Sequence, residues 1–233
     1  MTIKKHVPNS LTALNLISGM AGIYFVLEGQ ITFGAYFIFA AAFFDFFDGF
    51  AARLLNVSGE MGKQMDSLAD LVTFGVLPSF IIFKMLESSS PEPYLPFIGF
   101  AIGVMSAFRL AKFNIDTRQT DRFIGVPTPA TALLLSTLPF LAEKSETASN
   151  VIYNPVFLVV LTLVMSYLLV AELPLIALKF KSFGLEGNVF RYLVILIAVA
   201  SLLFAGLAGI PFIIISYIVL SMIERLVKSD GKI

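Results

Sequence analysis

Four aspartates sit at spacings that bring carboxylates together. Asp45 and Asp48 lie in Phe43-Phe44-Asp45-Phe46-Phe47-Asp48-Gly49, and Asp66 and Asp70 in Met65-Asp66-Ser67-Leu68-Ala69-Asp70-Leu71. Separations of three and four residues put each pair on one face of a helix. Both pairs border long apolar runs, where an aspartate costs about 3 kcal/mol on insertion scales and clustered like charges repel further. Arg53 alone is close in sequence, so side-chain cations are too few to neutralise all four. Divalent ions would do so, and all-oxygen ligation suits magnesium, manganese or calcium better than zinc. The ligands do not fall within one twelve-residue loop, which excludes an EF-hand. A blander reading makes them interfacial cap residues, with Asp66 near a helix N-terminus where negative charge is favoured.

The residues between the pairs narrow the chemistry. From Asp45 the chain reads D-x2-D-G-x2-A-R-x8-G-x3-D-x3-D, through Asp48, Gly49, Ala52, Arg53, Gly62, Asp66 and Asp70. Gly49 and Ala52 allow backbone or ligand to approach closely. Arg53 offers a planar fork for phosphate oxygens. Carboxylates, small residues and one arginine in this order suit a pyrophosphate held with metal ions.

The elements that must carry these residues are membrane helices. The 233 residues are 58% hydrophobic and 14% charged, with a mean hydropathy of +0.89. Soluble domains carry about a quarter charged residues. Apolar runs and their Gly/Pro breakers predict an all-α, polytopic protein with eight spans. They are Leu11–Leu27, Thr32–Leu54, Asp66–Leu86, Tyr94–Phe113, Thr128–Ala142, Pro155–Ala171, Tyr192–Leu207 and Ile210–Val227. The last two are divided only by Gly206–Pro211. The short connection between the second and third spans predicts antiparallel neighbours. With the N-terminus inside, all of the 16 Lys and Arg except Lys84 and Lys144 fall on the cytoplasmic side. Both termini and the acidic cluster, in a polar cavity, are then cytoplasmic. The first span is expected to be retained, because Met1 to Asn9 is polar and no small-residue cleavage site follows. Zero formal net charge gives no sign of a nucleic-acid surface, and the absence of cysteine excludes disulfides and thiolate metal sites.

The motif from Asp45 to Asp70 resembles the signature of the CDP-alcohol phosphotransferase family, with every fixed position present. The resemblance extends over at least Pro8 to Ala130, and the whole chain, 1–233, is expected to form one transmembrane domain of this kind. It implies that Asp45, Asp48 and Asp66 are ligands for two ions, Mg2+ or Mn2+. Asp70 would be both a ligand and the proton acceptor. Gly49 and Arg53 resemble positions that contact the CDP group of a CDP-linked lipid, and Gly62 belongs with them. Ser58 occupies the area where family members often carry a hydroxyl residue. Pro8-Asn9-Ser10-Leu11-Thr12 is similar to the family's cytidine-side segment, which assigns Asn9 and Thr12 to the nucleotide. The resemblance also suggests a homodimer.

A second region points to the acceptor. Phe108-Arg109-Leu110-Ala111-Lys112-Phe113-Asn114 and Phe123-Ile124-Gly125-Val126-Pro127-Thr128-Pro129-Ala130 resemble the branch of the family that makes phosphatidylserine. That branch usually has arginine where this chain has Lys112, which keeps the charge and loses the fork. Arg109 and Lys112 are the expected acceptor-binding residues, because serine brings a carboxylate that needs a cation. Arg118 and Arg122 read as headgroup anchors, Glu172 as interfacial and His6 as solvated. The expected reaction is transfer of the phosphatidyl group of CDP-diacylglycerol to L-serine in the cell membrane, by direct displacement. Glycerol 3-phosphate or an inositol phosphate would be acceptors for the same chemistry, and each would demand a denser basic pocket. A divalent-cation transporter would explain the carboxylates and leave Gly49, Arg53 and Gly62 without a purpose.

Overall fold

The computed structural model describes residues 3–57, 59–116, 123–176, 184 and 188–230. Nearly all of them are helical. Helix α1 (Ile3–Leu27) turns at Glu28–Gln30 into α2 (Ile31–Leu54). Gly29 makes the turn with a φ of 82°, a conformation that favours glycine, and its N–H reaches the Val26 carbonyl at 3.0 Å. The two helices cross closely because small residues meet at the crossing. A Cβ placed on Gly34 would lie 2.4 Å from Val26 Cγ2 and 2.8 Å from the Gly22 carbonyl oxygen.

The next stretch is the core of the molecule. Helix α3 (Glu60–Asp70) runs through a π-helical turn (Leu71–Val76) into α4 (Leu77–Ser89). The π-turn has a local cause. Pro78 has no N–H to donate back along the helix, and just before it the Leu77 N–H reaches five residues back to Val72. The Ser79 hydroxyl donates to the Gly75 carbonyl at 2.8 Å, so the displaced backbone stays satisfied at membrane depth. Phe74, Ile81, Ile82, Met85 and Leu86 are fully buried here, and other helices surround them.

A 3-10 turn (Leu95–Gly99) leads into α5 (Phe100–Ile115), which packs on the π-turn. Beyond it lie α6 (Thr128–Ser136), α7 (Leu138–Ala142), α8 (Glu146–Ile152) and α9 (Pro155–Val170). The Asn154 side chain caps α9, accepting from the N–H groups of Val156 and Phe157. A two-residue antiparallel ladder joins β1 (Phe123–Ile124) to β2 (Pro174–Leu175). The chain ends in α10 (Val189–Ala205) and α11 (Ile210–Asp230), packed together around a 3-10 turn at Gly206–Gly209.

Five described stretches are long and apolar enough to cross a bilayer: His6–Leu27, Ile31–Leu54, Glu60–Ser89, Leu95–Ile115 and Val189–Val227. The α8–α9 pair, bent by 59°, gives a sixth if it is one span. Thr128–Ala142 is shorter and divides at Thr137, ahead of Pro139. The helices differ from the expected spans chiefly at the polar end. The first helix begins at Ile3 and the third at Glu60, both earlier than hydropathy marks. These extra turns carry polar residues that line a cleft, so an apolar criterion passes over them. The short ladder between β1 and β2 was also invisible in the hydropathy pattern.

The α1–α2 crossing sets the position of everything that follows. Gly34→Leu should overpack it and cost about 1–3 kcal/mol, read as a lower melting temperature of the purified protein in detergent. Gly59→Ala is the matched control, since a Cβ there meets nothing within 4 Å and its φ of −164° is ordinary extended backbone. Equal melting temperatures for the two variants would contradict the close crossing.

Candidate active site

The acidic residues come from two helices that are both fixed by a third. Asp45 and Asp48 lie on the last turns of α2, and Asp66 and Asp70 on α3. The short connection predicts that the second and third spans are neighbours, and they are. The second, α2, meets the π-turn and α4, α1 packs on both α2 and α3, and the acidic ends of α2 and α3 face one another across the site. Asp45, Asp48 and Asp66 each bring a carboxylate oxygen to within 4.8 Å of the others. Asp70, one turn further along α3, stands outside that group, yet lies within electrostatic reach of all three.

Helix α1 supplies the hydrogen bonds that aim these groups. The Thr12 hydroxyl donates to Asp48 Oδ2 at 2.7 Å, a short charge-assisted bond between two buried residues. One turn on, the fully buried Asn15 donates from Nδ2 to Asp70 Oδ1 at 3.1 Å. The Thr73 hydroxyl, in the π-turn, lies 3.3 Å from the Asn15 carbonyl and 3.0 Å from that of Ala69, tying α1 to the end of α3. Sequence reasoning passed over Asn15, although its spacing from Thr12 was a usable signal. Residues three apart on α1 share a face.

The reading as helix caps fails on position. Helix α3 begins at Glu60 after an extended Gly59, so Asp66 lies in its second turn, away from the N-terminal end. Asp66 Oδ1 is buried and has no hydrogen-bond partner. Among the described residues the ion pairs are Lys84–Glu87 and Lys112–Glu172, and neither involves these aspartates. Three converging carboxylates, one with an orphaned buried oxygen and none with a side-chain counter-ion, fit a hard divalent cation.

Beside the carboxylates opens a cleft of about 230 Å³, between the N-terminal half of α1, the end of α2 and the start of α3. Asn9, Thr12, Gly49 and Gly62 all line it, together with Asp48 and Asp66. The residues named from the motif and from the cytidine-side segment therefore meet in one place. A Cβ on Gly62 would stand 3.7 Å from Asn9 Oδ1, and one on Gly49 the same distance from an Arg53 guanidinium nitrogen. Arg53 itself is exposed, one turn beyond Gly49. Ser58 lies outside the described residues. Lys63 lines the cleft as well, and its ammonium donates to the Asn114 carbonyl at 2.9 Å. It was missed because its position in the motif is not fixed.

A second, much smaller cleft is lined by Arg109 and Lys112 of α5, Ile124 and the end of α9. Arg109 is 7% exposed, with its guanidinium 5.9 Å over the Phe113 ring. Its Nε has no partner, and Asp70 is the charged neighbour that acts on it. Lys112 pairs with Glu172 at 3.3 Å, so Glu172 is tied to this cleft as well as lying at an interface. Gly125, next to Ile124, has a φ of 78°. A Cβ there would lie 2.7 Å from the Leu169 carbonyl oxygen, so the Gly-Val-Pro run docks on the end of α9 besides ending a loop. Arg118 and Arg122 lie outside the described residues.

Comparison with known proteins agrees with this geometry. Residues 5–222 match the family described as CDP-alcohol phosphatidyltransferase. The chain is 37% identical over 172 residues to the CDP-diacylglycerol–serine O-phosphatidyltransferase of Bacillus subtilis, covering 72% of this chain and 88% of that protein. It is 30% identical over 222 residues to the Mycobacterium leprae protein of the same name, covering 92% of this chain and 71% of the other. The Helicobacter pylori (strain J99) protein of that name is 36% identical over 143 residues, 59% of this chain and 58% of that one. A match along almost the whole chain, with the acidic motif gathered around a single cleft, makes this protein a member of the CDP-alcohol phosphatidyltransferase family.

Proposed function

We propose that this membrane enzyme transfers the phosphatidyl group of CDP-diacylglycerol to the hydroxyl of L-serine, giving phosphatidylserine and CMP. The observation that carries the reading is the triad Asp45, Asp48 and Asp66 beside a cleft lined by Asn9, Thr12, Gly49 and Gly62. The serine-transferring relatives support the choice of acceptor.

Asp45, Asp48, Asp66 and Asp70 are the residues that hold divalent metal. When bound, two such ions, Mg2+ or Mn2+, would offset the pyrophosphate charge and stabilise the departing CMP. Thr12 and Asn15 keep Asp48 and Asp70 in register with one another, because both bonds come from one face of α1. Asn9, Gly49, Gly62 and Ser58 receive the CDP group, and the exposed fork of Arg53 takes a phosphate oxygen. Arg109 and Lys112 receive the serine carboxylate.

Asp70 takes the proton of the serine hydroxyl as its oxygen attacks the lipid-side phosphorus. A phosphorus–oxygen bond forms to serine, and the bond from that phosphorus to the bridging oxygen breaks. CMP leaves with the electron pair. The chain has no cysteine, and His6, its one histidine, is exposed at the start of α1. Neither suits a covalent intermediate at the cleft, which favours a single displacement. The chain would lie in the cell membrane with eight spans, and the Lys and Arg distribution supports placing both termini and the cleft on the cytoplasmic side. The working unit would be a homodimer.

Three measurements test this. Purified protein with CDP-diacylglycerol, metal and serine should release CMP, and Asp70→Asn should cut turnover by about 10²- to 10⁴-fold while CDP-lipid binding is retained; near wild-type turnover would remove Asp70 from the base role. Arg109→Ala should raise the serine KM, and an unchanged KM would count against it. Asp66→Asn should raise the melting temperature in chelator, where it relieves repulsion, and shrink the further rise caused by millimolar Mg2+. A full Mg2+-induced rise in that variant would show that Asp66 holds no ion.

A further inference from the structure

The larger cleft carries a positive charge to which the proposed reaction gives no task. Among the described residues that line it, Lys63 is the only basic one, in company with Asn9, Asp48, Gly62 and Asp66. Lys63 and Asp66 are three apart on α3 and so share a face of that helix. An ion pair between them is the expected arrangement for two such side chains. The Lys63 ammonium donates instead to the Asn114 carbonyl at 2.9 Å, a neutral partner. The ion pairs among the described residues are Lys84–Glu87 and Lys112–Glu172. A cation thus stands at the wall of an acidic cleft with its charge uncommitted.

We infer that Lys63 binds the cytidine-side phosphate of the donor, leaving Asn114 to do so, and holds that phosphate as it departs in CMP. This rests on the proposed transfer from CDP-diacylglycerol and deepens it. Position along α3 selects the phosphate. Lys63 and Asp70 are seven residues apart on one helix, which separates them by roughly 10 Å along its axis. Asp70 marks the end where the acceptor attacks the lipid-side phosphorus. At the other end a Cβ on Gly62, next to Lys63, would stand 3.7 Å from Asn9 Oδ1, and Asn9 belongs to the nucleotide side. Lys63 is therefore at the leaving-group end. Breakage of the bridging bond adds negative charge to the cytidine-side phosphate, so a cation placed there stabilises departure more than arrival. Arg53, the other cation assigned to phosphate, comes from α2.

Lys63 can leave its resting partner without loosening the site. Asn114 lies in the last turn of α5, where helix carbonyls lack partners within the helix and attract cations. The bond is exposed, so water takes the place of the ammonium when it moves. The Asn114 side chain donates separately to the Ser67 hydroxyl oxygen at 2.8 Å, which keeps the ends of α3 and α5 joined. A long, flexible side chain carrying a point charge suits this exchange of a carbonyl for a phosphate oxygen.

The test uses the full chain in detergent with Mg2+ and measures binding of CMP, which carries the cytidine-side phosphate alone. Lys63→Gln keeps a hydrogen-bond donor and removes the charge. It should weaken CMP binding about tenfold or more, the loss expected of one charge-assisted bond. Affinity for cytidine, read by competition, should not change, nor should the rise in melting temperature that Mg2+ causes without nucleotide. Added salt should weaken CMP binding to the unmodified protein more steeply than to the variant. An unmoved CMP affinity, or the same salt dependence in both proteins, would overturn the assignment. Equal losses for CMP and cytidine, or a diminished Mg2+ response, would reduce Lys63 to a tether that shapes the cleft and overturn it as well. If the unmodified protein binds neither CMP nor CDP-diacylglycerol, the donor reading of the cleft itself falls. Normal CMP binding by Lys63→Gln sinks only the role of Lys63.

Discussion

Like charges brought together at the edge of a bilayer set the terms for this structure. Three carboxylates within 4.8 Å of one another cannot be a packing device. Left alone they repel, and hydrophobic burial does nothing to relieve them. The fold therefore has to force them together with interactions that do not depend on their charge. It does so through α1, which packs closely on α2 through Gly22 and Gly34 and then on α3 and the π-turn. The acidic helices need not touch. Their gap becomes the cleft, and an ion added there would bind to a site already assembled.

The hydrogen bonds from α1 work in the same direction. Thr12 and Asn15 are three residues apart and each satisfies one aspartate on a different helix. A rotation or slide of α1 would break both at once. The π-turn after Asp70 adds a second restraint, since Thr73 lies within hydrogen-bonding distance of the Asn15 carbonyl while Pro78 shifts the backbone pattern below. These features stiffen the end of α3 that carries Asp70, and leave the polar start of α3, with Gly59 and Gly62, open toward the cleft.

How much of this could be read from the chain follows from the range of each signal. The aspartate pairs were legible because helical spacing is local and the burial of charge in apolar sequence is conspicuous. Asn9 and Thr12 came from resemblance, and the cleft joins them to Gly49 and Gly62. Asn15 shares a face of α1 with Thr12, but its role emerges only with its partner Asp70, 55 residues away. The pairing of Lys112 with Glu172 was hidden for the same reason, with 60 residues between the partners. The short connection rightly made the second and third spans neighbours, and it said nothing about α1, which packs on both acidic helices. The polar first turns of α1 and α3 escaped a hydropathy reading because the site itself makes them polar.

Asp70 standing apart from the other three follows the same logic. It is bonded to α1 on one side and acts on Arg109 of α5 on the other. The cleft of Asn9, Gly49 and Gly62 opens toward α1 and α2, whereas the cleft of Arg109 and Lys112 opens toward α5 and α9. An in-line displacement needs the entering hydroxyl and the leaving phosphate on opposite sides of the phosphorus. Under the proposed reaction, a carboxylate bonded to α1 and acting on Arg109 of α5 would take the acceptor's proton while the nucleotide lies in the cleft beside α1. A fourth aspartate packed tightly into the triad would have lost that reach.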